Sequence, residues 1–394
     1  MNRKLLHFDL IGSLMKIMIF NSLYYPYRIG GAEVSVQLLA EEFVKQGHKV
    51  RVITLHEHEQ RIVKMINGVE VIYLPLKNIY WPFDYKVTSK IKKMIWHIID
   101  CYNFEMKNSA ISEINDFLPD VVHTNNLSGF SVSVWDAVNK AKIRLVHTSR
   151  DYYLFHPNST LFKKGAIMST EESSIVLWSL IKKIKSKKVN HYVGISGFIK
   201  SLHQSYGFFS NAESSVIYNS VSKIKSKNGS KGKVRVGFIG RLSIEKGFDE
   251  FCRISSKYKE NLNYSFMAAG NFSNSNDNDS LKNMASNCNV SISGYMPLSE
   301  FLDNVDVVIL PIKWNEPFGR TVVECALSGK LVLTTPVGSM PELGKIFKNV
   351  IVTSSIENDF PQVMLRHEEI STDNSEMNIF EPAEIASEYL RVYN

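Results

Sequence analysis

The sequence predicts an α/β protein with two doubly wound, Rossmann-like domains that face a central cleft. Short runs rich in Val and Ile alternate with amphipathic helical stretches along the chain. The runs do not alternate with polar residues, which is typical of parallel strands buried on both faces. A polar stretch rich in Lys, Ser and Gly interrupts this pattern near the middle, and 394 residues are enough for two such domains.

The alternation of strands and helices predicts parallel sheets with right-handed crossovers. Before the break, strands are expected at 16–20, 50–54, 69–74, 121–123, 143–148 and 191–195; after it, at 234–239, 264–268, 290–292, 307–310, 331–334 and 350–352. Helices are expected at 31–46, 131–142, 197–206 and 246–257, among other places. Ligands of such open sheets bind beyond the carboxyl ends of the strands, so the residues that follow the strands are the candidates for function.

The polar stretch at 221–233 is predicted to be a linker because it contains almost no apolar residue. This divides the chain into an N-terminal domain (1–217), a C-terminal domain (218–375) and a last segment (376–394). The last segment contains a helical pattern whose apolar face needs a partner, and the N-terminal domain is the expected one. A second polar tract, at 271–280, is predicted to be a solvated loop.

Composition excludes several classes of protein. Hydrophobic residues make up 44% of the chain and charged residues 22%, which excludes disorder, collagen or coiled coil for the whole chain. The four cysteines stand far apart, which excludes a disulfide scaffold and favours a cytoplasmic location. No apolar run is long enough to span a bilayer, and residues 1–14 make a poor signal peptide. The net charge of +7 suits an anionic ligand or an anionic membrane surface and does not require nucleic acid.

Two glycine-containing turns are candidate anion sites. Gly30 and Gly31 lie between the first strand and a helix, where free backbone amides favour an anion, although a tight turn without a ligand explains them equally well. In the second half a strand runs into Gly240, followed by Arg241 and Lys246, which suit a diphosphate unless they are two ordinary surface cations. Neither turn has the pattern of a nicotinamide fingerprint or of a Walker A loop.

The most specific stretch is LPIKWNEPFGRTVVECALSGK (310–330), in which a buried strand leads into a helix. The amides of Gly319 to Thr321 would point at a phosphate from the start of that helix. The carboxylates of Glu316 and Glu324 would repel phosphate but suit the hydroxyls of a sugar or a ribose. The alternative is that both glutamates only complement the helix dipole. It explains Glu324 less well, because Glu324 lies beyond the first turn.

With these motifs the sequence resembles the family 4 retaining glycosyltransferases of the GT-B fold. The Glu–(seven residues)–Glu signature of that family is present as Glu316 to Glu324. Family-like forms also occur in GRLSIEKG, AAG, ISGYMPLSEF, VDVVILP and TTPVGSMPEL in the second half, and in PYRIGGAE, DVVHTNN, HTSRDYY and VIYNSV in the first. The resemblance extends from residue 16 to the last helix.

The resemblance implies that the N-terminal domain binds an acceptor and the C-terminal domain a nucleotide sugar, with UDP, GDP or ADP as its nucleotide. It implies catalytic roles for Glu316 on the sugar ring and for Arg241 and Lys246 on the diphosphate, and a ribose contact for Glu324. It implies no cofactor and no metal, because the cations act on the leaving group. The implied donor-binding residues are Gly30, Gly31, Gly240, Arg241, Lys246, Gly270, Glu316, Phe318, Gly319, Arg320, Thr321 and Glu324.

The chain departs from the family at Arg150, where many members carry a His before an Asp. An arginine cannot act as a general base, so Arg150 is interpreted as a fixed cation in the catalytic site that binds phosphate or an acidic acceptor. The alternative is a structural ion pair with Asp151. Asp151 and His123, which each follow a strand, are the acceptor-side candidates.

Two basic amphipathic stretches, at 86–99 and 174–188, favour contact with an anionic membrane, although solvated domain helices are an equal alternative. The sequence as a whole therefore predicts a retaining transferase that moves a sugar to a saccharide or lipid-linked acceptor in surface polysaccharide biosynthesis. A nucleotide-sugar-binding protein without activity and a GT-B nucleotide-sugar epimerase remain as alternatives.

Overall fold

The structure is a computed structural model that describes residues 14–27, 30–84, 88–224, 232–272, 278–370, 372–374 and 377–394. It contains two large sheets with helices on their faces. The sheets come one after the other along the chain, as the alternation of strands and helices predicts, so the α/β fold class is confirmed.

The first sheet has eight strands in the order β10-β9-β6-β5-β1-β2-β4-β3, and every pair is parallel except β3 with β4. The strands of this part of the chain are β1 (Lys16–Phe20), β2 (Lys49–His56), β3 (Ile62–Ile66), β4 (Val69–Pro75), β5 (Val121–Thr124), β6 (Arg144–Ser149), β7 (Phe162–Lys163), β8 (Ala166–Ile167), β9 (His191–Gly194) and β10 (Glu213–Val216), of which β7 and β8 form a separate hairpin. Its helices are α1 (Gly31–Lys45), α2 (Lys90–Cys101), α3 (Phe104–Phe117), α4 (Ser133–Lys140), α5 (Ser173–Ser186) and α6 (Gly197–Ser205).

The second sheet has six parallel strands in the order β13-β12-β11-β14-β15-β16, which is the strand order of a Rossmann sheet. The strands are β11 (Val234–Ile239), β12 (Tyr264–Ala269), β13 (Val290–Ile292), β14 (Val307–Leu310), β15 (Leu331–Thr334) and β16 (Val350–Val352). The helices are α7 (Phe248–Lys257), α8 (Asn278–Asn287), α9 (Leu298–Asp303), α10 (Arg320–Leu327), α11 (Met340–Ile346) and α12 (Ile356–Leu365), and the chain ends in α13 (Pro382–Tyr393).

The strand order decides where ligands can bind. In the second sheet the order reverses between β11 and β14, and in the first sheet between β1 and β5. The loops that follow these strands diverge to opposite faces of their sheets and leave a crevice at the carboxyl edge. Gly30, Gly31, Gly240 and Glu316 all lie in or directly after such loops.

The last helix packs on the first sheet. In α13, Tyr389 and Tyr393 are almost fully buried in one apolar cluster with Phe43 of α1, and the rings of Phe43 and Tyr393 are 5.5 Å apart. Arg144 at the start of β6 donates from Nε to the carbonyl of Val392 at 2.9 Å. The C-terminus of the chain is thereby part of the N-terminal domain's packing.

The strands that sequence analysis missed are polar or exposed. Strand β3 (IVKMI) is largely apolar in sequence but lies exposed at the antiparallel edge of the sheet, and β10 has the sequence ESSV, which lacks the apolar run used to find the other strands. Residues 225–231 of the expected linker and 273–277 of the polar tract lie outside the described residues. Among the residues that are described, no helix has both the length and the hydropathy needed to cross a membrane.

The basic stretch at 174–188 differs from the expectation of a lysine-rich membrane face. Lys182 is buried and donates from Nζ to the carbonyl of Tyr153 at 2.6 Å. Lys185 and Lys188 form ion pairs with Asp136 at 2.6 and 2.7 Å. These lysines are bound to the protein because α5 turns its basic side inward, and it is the apolar side of α5 that faces solvent.

Candidate active site between the two domains

A cleft with a volume of about 440 Å³ lies between the two domains, at the carboxyl ends of both sets of strands. One wall follows β1, β5, β6 and β9, and the other follows β11 and β14. Most of the predicted site residues line it, namely Gly30, Gly31, Arg150, Asp151, Gly240, Arg241, Lys246, Glu316, Phe318, Gly319, Arg320 and Thr321. The structure thus brings together in one cleft residues that are up to 291 positions apart, from Gly30 to Thr321.

Glu316 is held at the centre of a polar cluster. Its Oε2 accepts hydrogen bonds from Lys246 Nζ at 2.5 Å and from Trp314 Nε1 at 3.1 Å. Its backbone carbonyl accepts from the amide and the hydroxyl of Ser339 at 2.9 and 3.1 Å. The carboxylate therefore has one fixed orientation in the cleft, and its charge is balanced by a lysine.

The loops around Glu316 approach each other too closely for side chains. Gly338 has φ +56°, and a Cβ there would lie 2.3 Å from the carbonyl oxygen of Glu316. Gly247 has φ +77°, and a Cβ there would lie 1.8 Å from the carbonyl oxygen of Pro311. Backbone contacts of this kind exclude any residue other than glycine without a shift of the loop.

Helix α10 presents its N-terminus to the cleft. Gly319 caps it in the left-handed region at φ +80°, and among the described residues no side-chain cap hydrogen bond is found there. The free amides of the first turn carry the positive end of the helix dipole and favour an anion. The residues of this turn line the cleft, so the geometry suits the phosphate contact that the sequence predicts for Gly319 to Thr321.

Arg320 bridges the two domains. Its Nη1 donates to Ser35 Oγ in α1 at 3.0 Å and to the carbonyl of Ser220 at 2.9 Å, while its Nε donates to Glu324 Oε1 at 2.8 Å. Gly31 lies against it, since a Cβ on Gly31 would be 3.0 Å from Arg320 Cδ. The side chain of Arg320 thus holds the N-terminal wall to α10.

Glu324 lies behind this arginine and is not among the described residues that line the cleft. Burial raises the pKa of Glu324 above its ordinary value, and the positive charge of Arg320 opposes that shift. The predicted contact between Glu324 and a ribose therefore requires one of two changes when a nucleotide binds. Either Arg320 moves away from Glu324, or Glu324 binds Arg320 and the ribose at the same time.

The loop after β11 carries the remaining predicted cation. Arg241 is 56% exposed, and its Nη2 is 3.8 Å from Glu245 Oε1. Gly270 does not line the cleft: a Cβ on it would lie 1.8 Å from the carbonyl oxygen of Gly240. Gly270 thus allows its own loop to pack directly on the backbone of Gly240, and its expected donor contact stays a prediction.

Other contacts join the two walls. Ser196 Oγ donates to the carbonyl of Pro317 at 2.6 Å, and the amide of Gly197 donates to Glu342 at 2.9 Å. The hydroxyl of Tyr152 donates to the carbonyl of Asn315. These residues had no role in the sequence analysis, because a contact between two domains leaves no periodic signal in the chain.

His123 was expected on the acceptor side of the cleft, and this expectation is wrong. It is fully buried, with Nε2 2.7 Å from Thr148 Oγ1 and Nδ1 2.7 Å from the hydroxyl of Tyr393. Burial and the nearby charge of Arg150 lower the pKa of His123 well below its ordinary value. The ring of His123 points away from the cleft, toward the face of the sheet on which α13 packs. The hydroxyl of Tyr393 in α13 is its hydrogen-bond partner there.

Arg150 and Asp151 do line the cleft, and the alternative interpretation, an ion pair between them, is not found among the described side chains. Arg150 donates from Nε to Asn125 Oδ1 at 2.8 Å and from Nη1 to Asn219 Oδ1. Asp151 accepts from the amide of Tyr153 at 2.9 Å, and burial raises the pKa of Asp151 to about 6. Asn125 and Asn219, which the sequence analysis assigned no role, stand in quoted motifs directly after β5 and β10.

In the part of the chain that is described, no group of three or more His, Cys, Asp or Glu side chains is placed to hold a metal ion. Among the described residues, the cationic side chains that line the cleft are Arg150, Arg241, Lys246 and Arg320.

Two family models match the chain. The model of the glycosyltransferase family 4 matches residues 29–223, and the model of the glycosyl transferases group 1 matches residues 220–359. An uncharacterized 42.6 kDa protein in the cps region of Klebsiella pneumoniae is 46% identical over 96% of this chain and 100% of its own length.

Solved structures share the two-domain fold. Sucrose-phosphate synthase from Thermosynechococcus elongatus superposes with a TM-score of 0.72 at 12% identity, covering 96% of this chain and 98% of that one. The Anabaena protein HepE, solved in complex with UDP and glucose, superposes with a TM-score of 0.67 at 15% identity, covering 96% and 99% of the two chains. At such identities the likeness shows the fold alone, which is the GT-B arrangement of two Rossmann-like domains.

Proposed function

The chain belongs to the group 1, family 4 glycosyltransferases, and from this premise we propose that it transfers a sugar from a nucleotide-sugar donor to a saccharide or lipid-linked acceptor with retention of configuration. One observation carries the proposal. A single cleft combines the Glu316–Lys246 pair with the free amides at the start of α10. A carboxylate for sugar hydroxyls and an anion site for phosphate are thus adjacent, as a sugar diphosphate requires.

The diphosphate is proposed to bind the first turn of α10, Arg241 and Lys246. In the structure Lys246 forms an ion pair with Glu316, so a bound diphosphate would compete with Glu316 for the ammonium group. Moving Lys246 toward phosphate removes one of the two hydrogen bonds to Glu316 Oε2, leaves the bond from Trp314 in place, and makes the carboxylate more available to sugar hydroxyls. Donor binding would in this way convert an internal ion pair into two substrate contacts.

In the proposed reaction the bond between the anomeric carbon and the diphosphate oxygen breaks, and the acceptor oxygen bonds to the same face of that carbon. The acceptor proton passes to the leaving phosphate oxygen. Negative charge grows on the diphosphate in the transition state, and fixed cations that stabilise it lower the barrier. The proposal needs no metal for this step.

The relatives support proposals for the donor nucleotide and for the biological setting. HepE was solved with UDP and glucose, which makes UDP-sugars the first donors to test. The Klebsiella relative is described as a protein in the cps region, which supports a role in capsule or other surface polysaccharide synthesis. The proposed acceptor is accordingly a growing saccharide or its lipid-linked form.

The test is a thermal-shift and calorimetric screen with UDP-, GDP- and ADP-sugars, followed by donor hydrolysis or transfer observed by NMR. Glu316→Gln and Lys246→Met are each expected to reduce turnover about 100-fold, as loss of one transition-state contact does. The matched control is Lys257→Met, which removes an exposed ion pair of the same domain, with Glu357 at 2.9 Å, and should leave turnover unchanged.

Three results would contradict the proposal. These are a screen in which no nucleotide sugar binds, full activity of Lys246→Met, and a strict requirement for a divalent metal. The anomeric configuration of the first-formed product tests retention directly.

The proposed location is the surface of an anionic membrane, contacted by the apolar side of α2 and α5. The two helices touch through His97 and Trp178, whose rings are 6.1 Å apart. Together they expose nine aliphatic or methionine side chains: Ile91, Met94, Ile95, Ile98, Val176, Leu177, Leu180, Ile181 and Ile184. Exposed Lys90, Lys92 and Lys93 adjoin this apolar face, which suits anionic headgroups around inserted apolar side chains. Residues 86 and 87 of this stretch lie outside the described residues.

Liposome sedimentation tests the location. The double variant Ile91→Ser and Leu177→Ser should lose binding to vesicles that contain phosphatidylglycerol, whereas Leu262→Ser, an equally exposed leucine of the other domain, should retain it. Donor affinity should be the same in all three proteins. Equal binding of the double variant and the parent would refute the assignment of this surface.

A further inference from the structure

Arg150 is a buried cation in the wall of the cleft that belongs to the first sheet. It directly follows β6 and only 7% of its surface is exposed. Burial lowers the pKa of its guanidinium, but an arginine begins so far above neutrality that it keeps its charge. A positive charge is therefore held in the cleft at physiological pH.

The partners of this charge are neutral. The amide oxygens of Asn125 and Asn219 accept from Nε and Nη1. The hydroxyls of Tyr389 and Tyr393 lie nearby, and that of Tyr389 is 3.0 Å from Thr148 Oγ1. These contacts orient the guanidinium without balancing it.

The other cations of the cleft have carboxylate partners. Lys246 is 2.5 Å from Glu316, and Arg320 is 2.8 Å from Glu324. Arg241 is mostly exposed and lies 3.8 Å from Glu245. For Arg150 no carboxylate within ion-pair distance is found among the residues the structure describes, although Asp151 is its neighbour in sequence.

A buried charge without a counter-charge is costly, and proteins keep one where a ligand supplies the opposite charge. We propose that Arg150 binds an anionic group of the acceptor, either a carboxylate, as on a uronic acid, or a phosphate. The inference rests on the proposed function and adds the chemical class of its acceptor.

The position of Arg150 favours the acceptor over the donor. The anion site proposed for the diphosphate, at α10 and Lys246, belongs to the opposite wall. Arg150 comes from the first sheet and is fixed by Asn125 of that sheet. The planar guanidinium can bind both oxygens of a carboxylate or phosphate at once, which makes the contact selective as well as strong.

The experiment uses protein saturated with UDP, so that the diphosphate position is filled. Methyl glucuronide and methyl glucoside, which differ only at C6 (a carboxylate against a hydroxymethyl group), are each titrated by calorimetry, with inorganic phosphate as a second probe. The parent should prefer the glucuronide or phosphate over the glucoside by about tenfold or more, the usual size of a charged hydrogen-bond contribution. Preference for the glucuronide would identify a carboxylate as the group that Arg150 binds, and preference for phosphate would identify a phosphate.

Four variants are compared. Arg150→Gln should abolish the preference for the anion, and Arg150→Lys should retain part of it, because charge survives without the planar fork. Asn219→Asp keeps the arginine but places a carboxylate against Nη1, so it should also abolish the preference. The control, Arg144→Gln, removes an arginine from the opposite end of the same strand and should behave as the parent.

Three outcomes would overturn the inference: equal binding of glucuronide, phosphate and glucoside by the parent; an unchanged preference in Arg150→Gln and Asn219→Asp; and an Arg150→Gln protein that loses UDP affinity tenfold but keeps the preference. The last result would assign Arg150 to the donor. Binding of UDP by the parent tests the proposed function separately. If UDP does not bind, phosphate titration of the unliganded parent and Arg150→Gln still decides whether Arg150 binds an anion.

Discussion

Gly338→Ala should both destabilise the protein and displace Glu316. Gly338 has φ +56°, and an added Cβ would lie 2.3 Å from the carbonyl oxygen and 2.4 Å from the amide nitrogen of Glu316. These are backbone atoms, so rotation of a side chain cannot relieve the contact. The loop that carries Glu316 must move instead.

The magnitude is the sum of two costs. An L-residue in the left-handed region costs about 1–2 kcal/mol, and an extra methyl group forced into a packed site costs about 1–3 kcal/mol more. The matched control is Gly294→Ala, at φ +68° in the same domain, where an added Cβ meets no atom within 4 Å. Gly294→Ala should therefore lose only the stability that the left-handed conformation of an L-residue costs.

Urea unfolding followed by tryptophan fluorescence measures both variants. The free energy of unfolding is expected to fall by about 1–2 kcal/mol in Gly294→Ala and by about 2–5 kcal/mol in Gly338→Ala. Donor hydrolysis per folded molecule should fall only in Gly338→Ala, because only there is Glu316 moved. Equal loss of stability in the two variants, with unchanged turnover, would refute the view that the contact between Gly338 and Glu316 positions the carboxylate.

Three further predictions concern buried polar groups. Glu324→Ala should weaken binding of the cognate nucleotide at least about tenfold in calorimetry, because a ribose would lose a charged acceptor; an unchanged dissociation constant would remove the ribose assignment. Tyr393→Phe leaves His123 Nδ1 without its partner at 2.7 Å and should lower stability by about 1–3 kcal/mol in urea titration while turnover of the folded enzyme stays the same; a selective loss of turnover would return His123 to the acceptor side of the cleft. Burial raises the pKa of Asp151 from 3.8 to about 6, so the folded protein holds this proton where the unfolded chain has lost it, and the contribution of Asp151 to stability falls as the pH rises through this interval. Asp151→Asn should therefore become more stable relative to the parent between pH 4 and pH 7 in unfolding titrations, and a constant difference would show that this carboxyl titrates normally.

The candidate site divides into residues that local signals reveal and residues that they do not. Glu316, Gly319 and Thr321 were found because a buried strand, a turn and a helix follow one another within a few positions, and polar residues at such a junction face the carboxyl edge of the sheet. Asn125 and Asn219 also follow strands, but an amide carries no charge and no characteristic spacing. Their importance appears only when both are seen to hold Arg150.

The sequence alone determined the fold class, the two sheets and the edge at which the cleft lies. These properties follow from hydrophobic periodicity and from turn residues, which act over a few positions and are therefore visible in the chain. Of the second sheet's strands, β11, β13, β14, β15 and β16 have the predicted bounds, and β12 is one residue longer.

Only the tertiary structure decided which polar and charged groups are in contact. Lys246 and Glu316 are 70 positions apart, and His123 and Tyr393 are 270 apart, yet each pair is in hydrogen-bond contact. Lys182 reads as part of a solvated basic run, although its amino group is buried against Tyr153. The order of strands and the exact seat of the last helix set these contacts; the apolar pattern of that helix predicts that it packs on the N-terminal domain, but not which side chains it meets. The sequence shows which side chains are charged, but the fold decides which groups lie close enough to balance each charge.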